Sequence, residues 1–259
     1  MAITKQLIKD VHSLNLKKHR DATNSFVAEG PKVVADLLPL LQCKALYANE
    51  EFLQTIQPEV LAKVKTVEVT DQKSLERLSS LCAPRDALAI FEKPQLEQNM
   101  RKLTEFAAKG LCLALDAVQD PGNVGTIVRI ADWFGIEHIF ASPTTADVFA
   151  PKVVQATMGA IGRIKVHYVD LPSLLTEIDK DVPIYGTFLD GEDFYKKDLS
   201  DRGVIVMGNE GKGVSAEVAS FISRRLYIPP YPQGRATSES LNVAVATAVV
   251  CAEFRRRVF

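Results

Sequence analysis

From Leu111 onward the chain alternates short apolar runs with amphipathic stretches: "LCLALDAV", a helix-period segment from Val124, "HIFAS", "PKVVQATM", "IKVHYV", "LPSLLTEID", "PIYGTFL", "GVIVMG", "SAEVASFI" and "LYIP". The Val- and Ile-rich runs predict buried strands, and the segments with apolar positions three and four apart predict helices. Strands alternating with helices predict the α/β class, a mostly parallel sheet with helices on both faces whose ligands gather at the carboxyl ends of the strands. The final segment, "SESLNVAVATAVV", breaks the amphipathic pattern because it is apolar nearly all round until Glu253. It predicts a helix buried on several sides. The polar residues at its mouth are then expected deep in the protein, where they need partners.

The front half is patterned as a smaller α/β unit. It starts with an amphipathic helix, "MAITKQLIKDVHSLNLKKHR", and continues through "FVAEG", "PKVVADLLPLL" with Pro31 at the first helical position, "ALYA", "VKTVEVT", "DQKSLERLSSL" and "ALAIF". The polar stretch after Phe91 marks the boundary. It predicts a first domain over 1–98, a linker over 99–110 and a second domain over 111–259.

Composition narrows the chemistry. With 259 residues and 47% hydrophobic side chains, the chain can build a full core. It has no unbroken apolar stretch of signal-peptide or membrane-span type, so a cytoplasmic location is expected. Cys43, Cys82, Cys112 and Cys251 are scattered and form no C-x-x-C pair, which predicts reduced thiols and no metal site. The formal charge of −1 argues against a general polyanion binder. Local basic clusters remain, at Lys17, Lys18, His19 and Arg20, at Lys196 and Lys197, at Arg224 and Arg225, and at Arg255 to Arg257.

Three polar corners each follow a strand of the second half. In "DAVQDPGNVGTIVRIADWFG", Pro121 and Gly122 turn the chain, and Asn123 is placed to cap the next helix, with Arg129 off the apolar stripe. No G-x-G-x-x-G is present, which disfavours a dinucleotide site. In "VIVMGNEGKGVS", Gly208, Gly211 and Gly213 surround Asn209 and Glu210, which permits close backbone approach to a ligand or a tight structural turn; the spacing is not that of a phosphate loop. In "LYIPPYPQGRATSESLNVAVATAVV", Ser240 and Asn242 flank Leu241 at the entrance of the last helix.

Together "DPGNVGTIVRIA", "VMGNEGKGVS" and "IPP…SESLNVAVATA" resemble the three motifs of the SpoU (TrmH-like) branch of the SPOUT RNA methyltransferases, in order, with "ATMGAIGRIKV" between the first two also matching. The front half, especially "KKHRDATNSFVAEGPKVV", is similar to the small L30e-like RNA-binding domain at the N-terminus of many members. The resemblance implies a C-terminal trefoil knot, a fold feature that general topology rules exclude and patterning cannot reveal. It also implies S-adenosylmethionine as cofactor, held by backbone at Gly208, Ile228 and Leu241 with Asn209 and Gly213 beside them. It implies a polar catalytic set of Asn123, Arg129, Glu210, Ser240 and Asn242, and a homodimer formed through the knot region. The implied reaction is methyl transfer to a ribose 2′-OH of RNA. The appended front domain suggests a large structured target, so ribosomal rather than transfer RNA is expected, and "KKHR" next to "FVAEG" predicts Lys17, Lys18 and Arg20 on RNA phosphates. A non-catalytic RNA-binding or ribosome-assembly protein on the same fold is the alternative. The loop from Pro229 to Ser240 is longer than the family pattern, and its Tyr231 and Arg235 suit a lid, an RNA contact or a surface insertion.

Overall fold

The computed structural model describes residues 3–81, 83–232 and 239–257. Cys82 and Arg235 lie outside the described residues. In chain order the elements are α1 (Lys5–Ser13), α2 (Lys17–Thr23), β1 (Ser25–Glu29), α3 (Pro31–Leu37), β2 (Cys43–Ala48), α4 (Glu50–Thr55), α5 (Pro58–Leu61), β3 (Val67–Val69), α6 (Gln72–Leu78) and β4 (Ala87–Glu92). They continue with α7 (Met100–Lys109), β5 (Leu111–Leu115), α8 (Pro121–Trp133), β6 (His138–Ala141), α9 (Pro151–Thr157), β7 (Lys165–Tyr168) and α10 (Leu171–Thr176). The last are β8 (Ile184–Asp193), β9 (Gly203–Met207), α11 (Ala216–Ala219), β10 (Arg224–Tyr227) and α12 (Val243–Arg256).

The chain divides into two compact units. The first comprises 1–95 together with 147–163, and the second 96–146 with 164–259. The first holds a mixed four-stranded sheet ordered β1-β4-β2-β3, in which β4 runs antiparallel to both neighbours. Its β1 is buried throughout, and α9 of the inserted segment belongs to this unit, where Phe149 stands 5.0 Å from Phe26. The single N-terminal helix expected from the pattern is two: α1 ends at Ser13, capped by Leu14, and α2 begins after Leu16, whose extended backbone breaks the run.

The second unit carries six strands in the order β10-β8-β9-β5-β6-β7, every neighbouring pair parallel. The central strands β5 and β9 are buried along their whole length, which accounts for their unbroken apolar sequences. The stretch over 99–110 forms α7, capped by Asn99, with Leu103 and Ala107 in the same core as Phe140 and Val206. Its polar look reflects one exposed face.

The last helix α12 buries Val243, Ala244, Ala246, Thr247, Val250, Cys251, Glu253 and Phe254, with Phe254 edge-on to Tyr185 of β8 at 4.8 Å. It is not covered all round: Val245 is 51% exposed. The connection that a trefoil would thread, between β10 and α12, includes 233–238, outside the described residues.

Candidate active site

The first corner follows β5. Asp120, not Asn123, caps α8: its Oδ1 accepts the Asn123 backbone N–H at 2.8 Å, and Pro121 takes the first helical position. This corrects the expectation that Asn123 is the cap, and it has a consequence. The Asn123 side chain is released from its own helix and reaches across to the other two corners.

The second corner follows β9. Asn209 folds it: its Oδ1 accepts from the amides of Gly211 and Lys212, both at 3.0 Å, its Nδ2 donates to the Ala117 carbonyl at 2.8 Å, and its backbone pairs with Gly213. A Cβ on Gly208 would stand 2.3 Å from the backbone of Gly213 and Val214, so glycine is required there by the turn itself. Folding this turn presents the Glu210 carboxylate to the start of α8. It accepts from the amides of Gln119 at 3.3 Å and Asp120 at 3.1 Å and from Asn123 Nδ2 at 3.0 Å. Partial burial pushes this carboxyl up, but the Asn123 side chain and the backbone amides around Asp120 outweigh it and hold it below the ordinary carboxylate range.

The third corner precedes α12. Asn242 Oδ1 caps the helix by accepting from Ala244 N at 2.9 Å and Val245 N at 3.2 Å, while its Nδ2 donates to Asn123 Oδ1 at 2.9 Å. Asn123 therefore joins Glu210 on one side to Asn242 on the other. The expectation that this mouth is deeply buried is corrected, since Ser240, Leu241 and Asn242 are exposed. Only one side of α12 is packed, with Val243 and Ala244 of its first turn buried, and these exposed residues are those that lead into the helix.

Arg129 stands apart from this cluster. It lies six residues beyond Asn123, about 9 Å along the helix axis, on the solvent side of α8, and has no hydrogen bond or ion pair among the described residues. The backbone at Gly208, Asn209 and Gly213 lies in the second corner with Glu210, whereas Ile228 is half-buried just past β10.

The basic residues predicted for RNA separate. Lys17 and Lys18 are exposed, with Lys17 bridged to Asp21 at 3.0 Å. Arg20 is 2% exposed: its guanidinium donates to Asp147 at 2.5 and 3.1 Å and to the carbonyls of Leu14 at 2.8 Å and Asn15 at 2.9 Å. It is not free to contact RNA phosphates, which corrects that expectation. The cluster of Arg255 to Arg257 is also structural. Arg255 donates to the Phe134 and Gly135 carbonyls at the end of α8, and Arg256 and Arg257 flank the buried Glu253. Sequence reasoning missed Asp120, although Asp before Pro is a recognised start of a helix and was available as a signal.

The SpoU rRNA Methylase family profile matches residues 110–252, and an MRM3-like substrate binding domain profile matches 5–89. The 23S rRNA (guanosine(2553)-2′-O)-methyltransferase RlmP of Bacillus subtilis is 32% identical over 260 residues, covering 96% of each chain. Among solved structures, a TrmH-family protein from Porphyromonas gingivalis superposes with a TM-score of 0.86 at 39% identity, covering 99% of this chain and 100% of that one. An AdoMet-bound rRNA methyltransferase from Sinorhizobium meliloti superposes with a TM-score of 0.85 at 30% identity, covering 100% and 97%. The parallel sheet, the three joined corners and these matches lead to one conclusion: this chain belongs to the SpoU rRNA methylase family.

Proposed function

We propose that this chain methylates a ribose 2′-OH of RNA with S-adenosylmethionine, and that its substrate is ribosomal rather than transfer RNA. The observation that carries the reading is the Glu210–Asn123–Asn242 chain of hydrogen bonds, which ties the three family motifs into one cluster at the end of the sheet. The rRNA preference is supported by the name of the Bacillus relative, which aligns along almost its whole length, front unit included.

The residues present fit the cofactor: an ionised Glu210 beside a glycine-rich turn that permits close backbone approach suits a ligand with a cationic sulfur. Backbone at Gly208, Asn209, Gly213, Ile228 and Leu241 would hold it. Bound there, S-adenosylmethionine supplies a methyl group on an excellent leaving group, so no covalent nucleophile is required of the protein. The free Cys43, Cys112 and Cys251 thiols are buried and pushed up to about 12, which leaves them unreactive and suits a reducing, cytoplasmic setting.

Arg129 is the cation for the ribose hydroxyl and its neighbouring phosphate. Its planar guanidinium cation stabilises the negative charge that develops on the 2′-oxygen. Asn123, Glu210, Ser240 and Asn242 orient the ribose. A second copy of the chain covers the exposed apolar positions Trp133, Leu241 and Val245, which are 85%, 49% and 51% exposed, and light scattering on the purified protein would read a dimer mass.

The reaction is tested by incubating the protein with labelled S-adenosylmethionine and RNA from cells lacking it, then digesting to nucleosides. A labelled 2′-O-methylnucleoside in ribosomal RNA is expected. Label on a base, or none in the presence of bound cofactor, overturns the reading.

A further inference from the structure

Ala117 is an alanine with φ of +56°, in the left-handed region that favours glycine, and it lies two residues past β5 at the edge of the site. Both ends of this residue are held. Its N–H donates to Ser142 Oγ at 2.9 Å, and its carbonyl accepts from Asn209 Nδ2 at 2.8 Å. Ser142 is itself fixed, only 8% exposed, with Thr144 Oγ1 and Thr145 Oγ1 each at 3.1 Å. Thr145 donates its own proton to the Leu115 carbonyl at 2.9 Å, so toward Ser142 it accepts. Ser142 then donates to Thr145 and keeps its lone pairs for Ala117 N–H and Thr144.

We infer that Ser142 is a positioning residue for the methyl-transfer reaction, acting through the left-handed Ala117 to set Asn209 and, with it, Glu210. This rests on the function proposed above. The sequence of contacts is continuous: Ser142 holds the Ala117 amide, the Ala117 carbonyl then faces Asn209, the Asn209 Oδ1 closes the 209–213 turn, and the turn seats Glu210 on Asn123. Without the Ser142 bond, Ala117 relaxes to negative φ and its carbonyl turns away from Asn209. Glu210 then loses its seat although no site residue has been changed.

The test uses Ser142→Ala, Ser142→Thr and the double variant Ser142→Ala/Ala117→Gly, since glycine adopts positive φ without the penalty an alanine meets. Ser142→Ala is expected to lower kcat about tenfold with KM for RNA within about twofold. Backbone hydrogen exchange should rise in both 116–123 and 209–213. Ser142→Thr, which keeps the hydroxyl, and the double variant should recover most of the rate and the protection. Exchange is read whether or not the protein transfers methyl groups, so an inactive wild type counts against the function and leaves this inference to be decided by exchange alone. Unchanged exchange at 209–213 in Ser142→Ala, or a loss of rate that glycine at 117 does not restore, overturns it. If Ser142→Ala fails to fold, the same readouts on Ala117→Val decide: β-branching disfavours positive φ, so loss of protection at 209–213 with Ser142 intact is expected, and retained protection overturns the inference.

Discussion

The Asn242 amide donates to Asn123 Oδ1 at 2.9 Å, so the first turn of the last helix is tied to the first turn of α8. The same Asn242 caps its own helix through Oδ1, and the two duties separate by mutation. Asn242→Asp keeps an acceptor for Ala244 and Val245 but loses the donor to Asn123. It should melt near wild type while methyl transfer falls at least about tenfold. Asn242→Ala loses both and should also cost about 1 kcal/mol of stability, read by denaturant titration.

Arg129→Ala should abolish turnover with stability changed by no more than about 0.5 kcal/mol, because the side chain is exposed and partnerless among the described residues. Cofactor affinity, by calorimetry, should stay within a few-fold. Arg129→Lys should not restore the rate, since a lysine lacks the planar fork that grips hydroxyl and phosphate together. Lost cofactor binding in a folded Arg129→Ala protein would remove the residue from its role.

Two glycines of one turn should answer differently to the same methyl group. In Gly208→Ala the new Cβ meets backbone at 2.3 Å, which cannot yield, so the melting midpoint and activity should both drop. In Gly211→Ala the nearest atom is Asn209 Oδ1 at 3.8 Å, and the protein should melt as wild type does.

Arg20 and its neighbours on α2 should also diverge. Removing the Arg20 guanidinium leaves Asp147, 12% exposed at its side chain, without its partner, and Arg20→Ala should destabilise by about 3 to 5 kcal/mol. Lys17→Ala/Lys18→Ala should leave stability unchanged while weakening RNA binding and flattening its salt dependence. An unchanged salt slope would show that this face does not touch phosphate.

His138 stacks on Phe106 at 3.7 Å, and its Nδ1 lies 3.1 Å from His167 Nε2. Burial, then the charges of His167 and Lys165, bring His138 down to about 4, and burial lowers His167 as well. The unfolded chain therefore binds more protons than the folded one between about pH 6.5 and 4, so stability is full above this window and declines as pH falls through it. Melting midpoints across that range should show the decline, and His138→Phe, which keeps the stack, should make it shallower.

Much of this organisation is written locally. The β5 and β9 sequences are apolar without interruption because both faces of those strands are covered, and Asn, Glu and Asn at 123, 210 and 242 stand out as polar groups in the corners that follow strands. Strand and helix periods, turn glycines and motif spacing depend on neighbours a few residues away, and these the amino-acid order determined by itself. Tertiary structure alone decided which polar atoms meet. Arg20 reads as one of four basic residues in a row until Asp147, 127 residues away, is folded against it. Asn123 reads as a helix cap until Asp120 takes that place and Glu210, 87 residues on, and Asn242 claim its amide. Segment 147–163 reads as part of the second domain, yet it completes the first unit, because burial follows shape and not chain order. Partner choice for a side chain depends on which distant backbone brings a complementary atom within about 3 Å, and no local pattern encodes that distance.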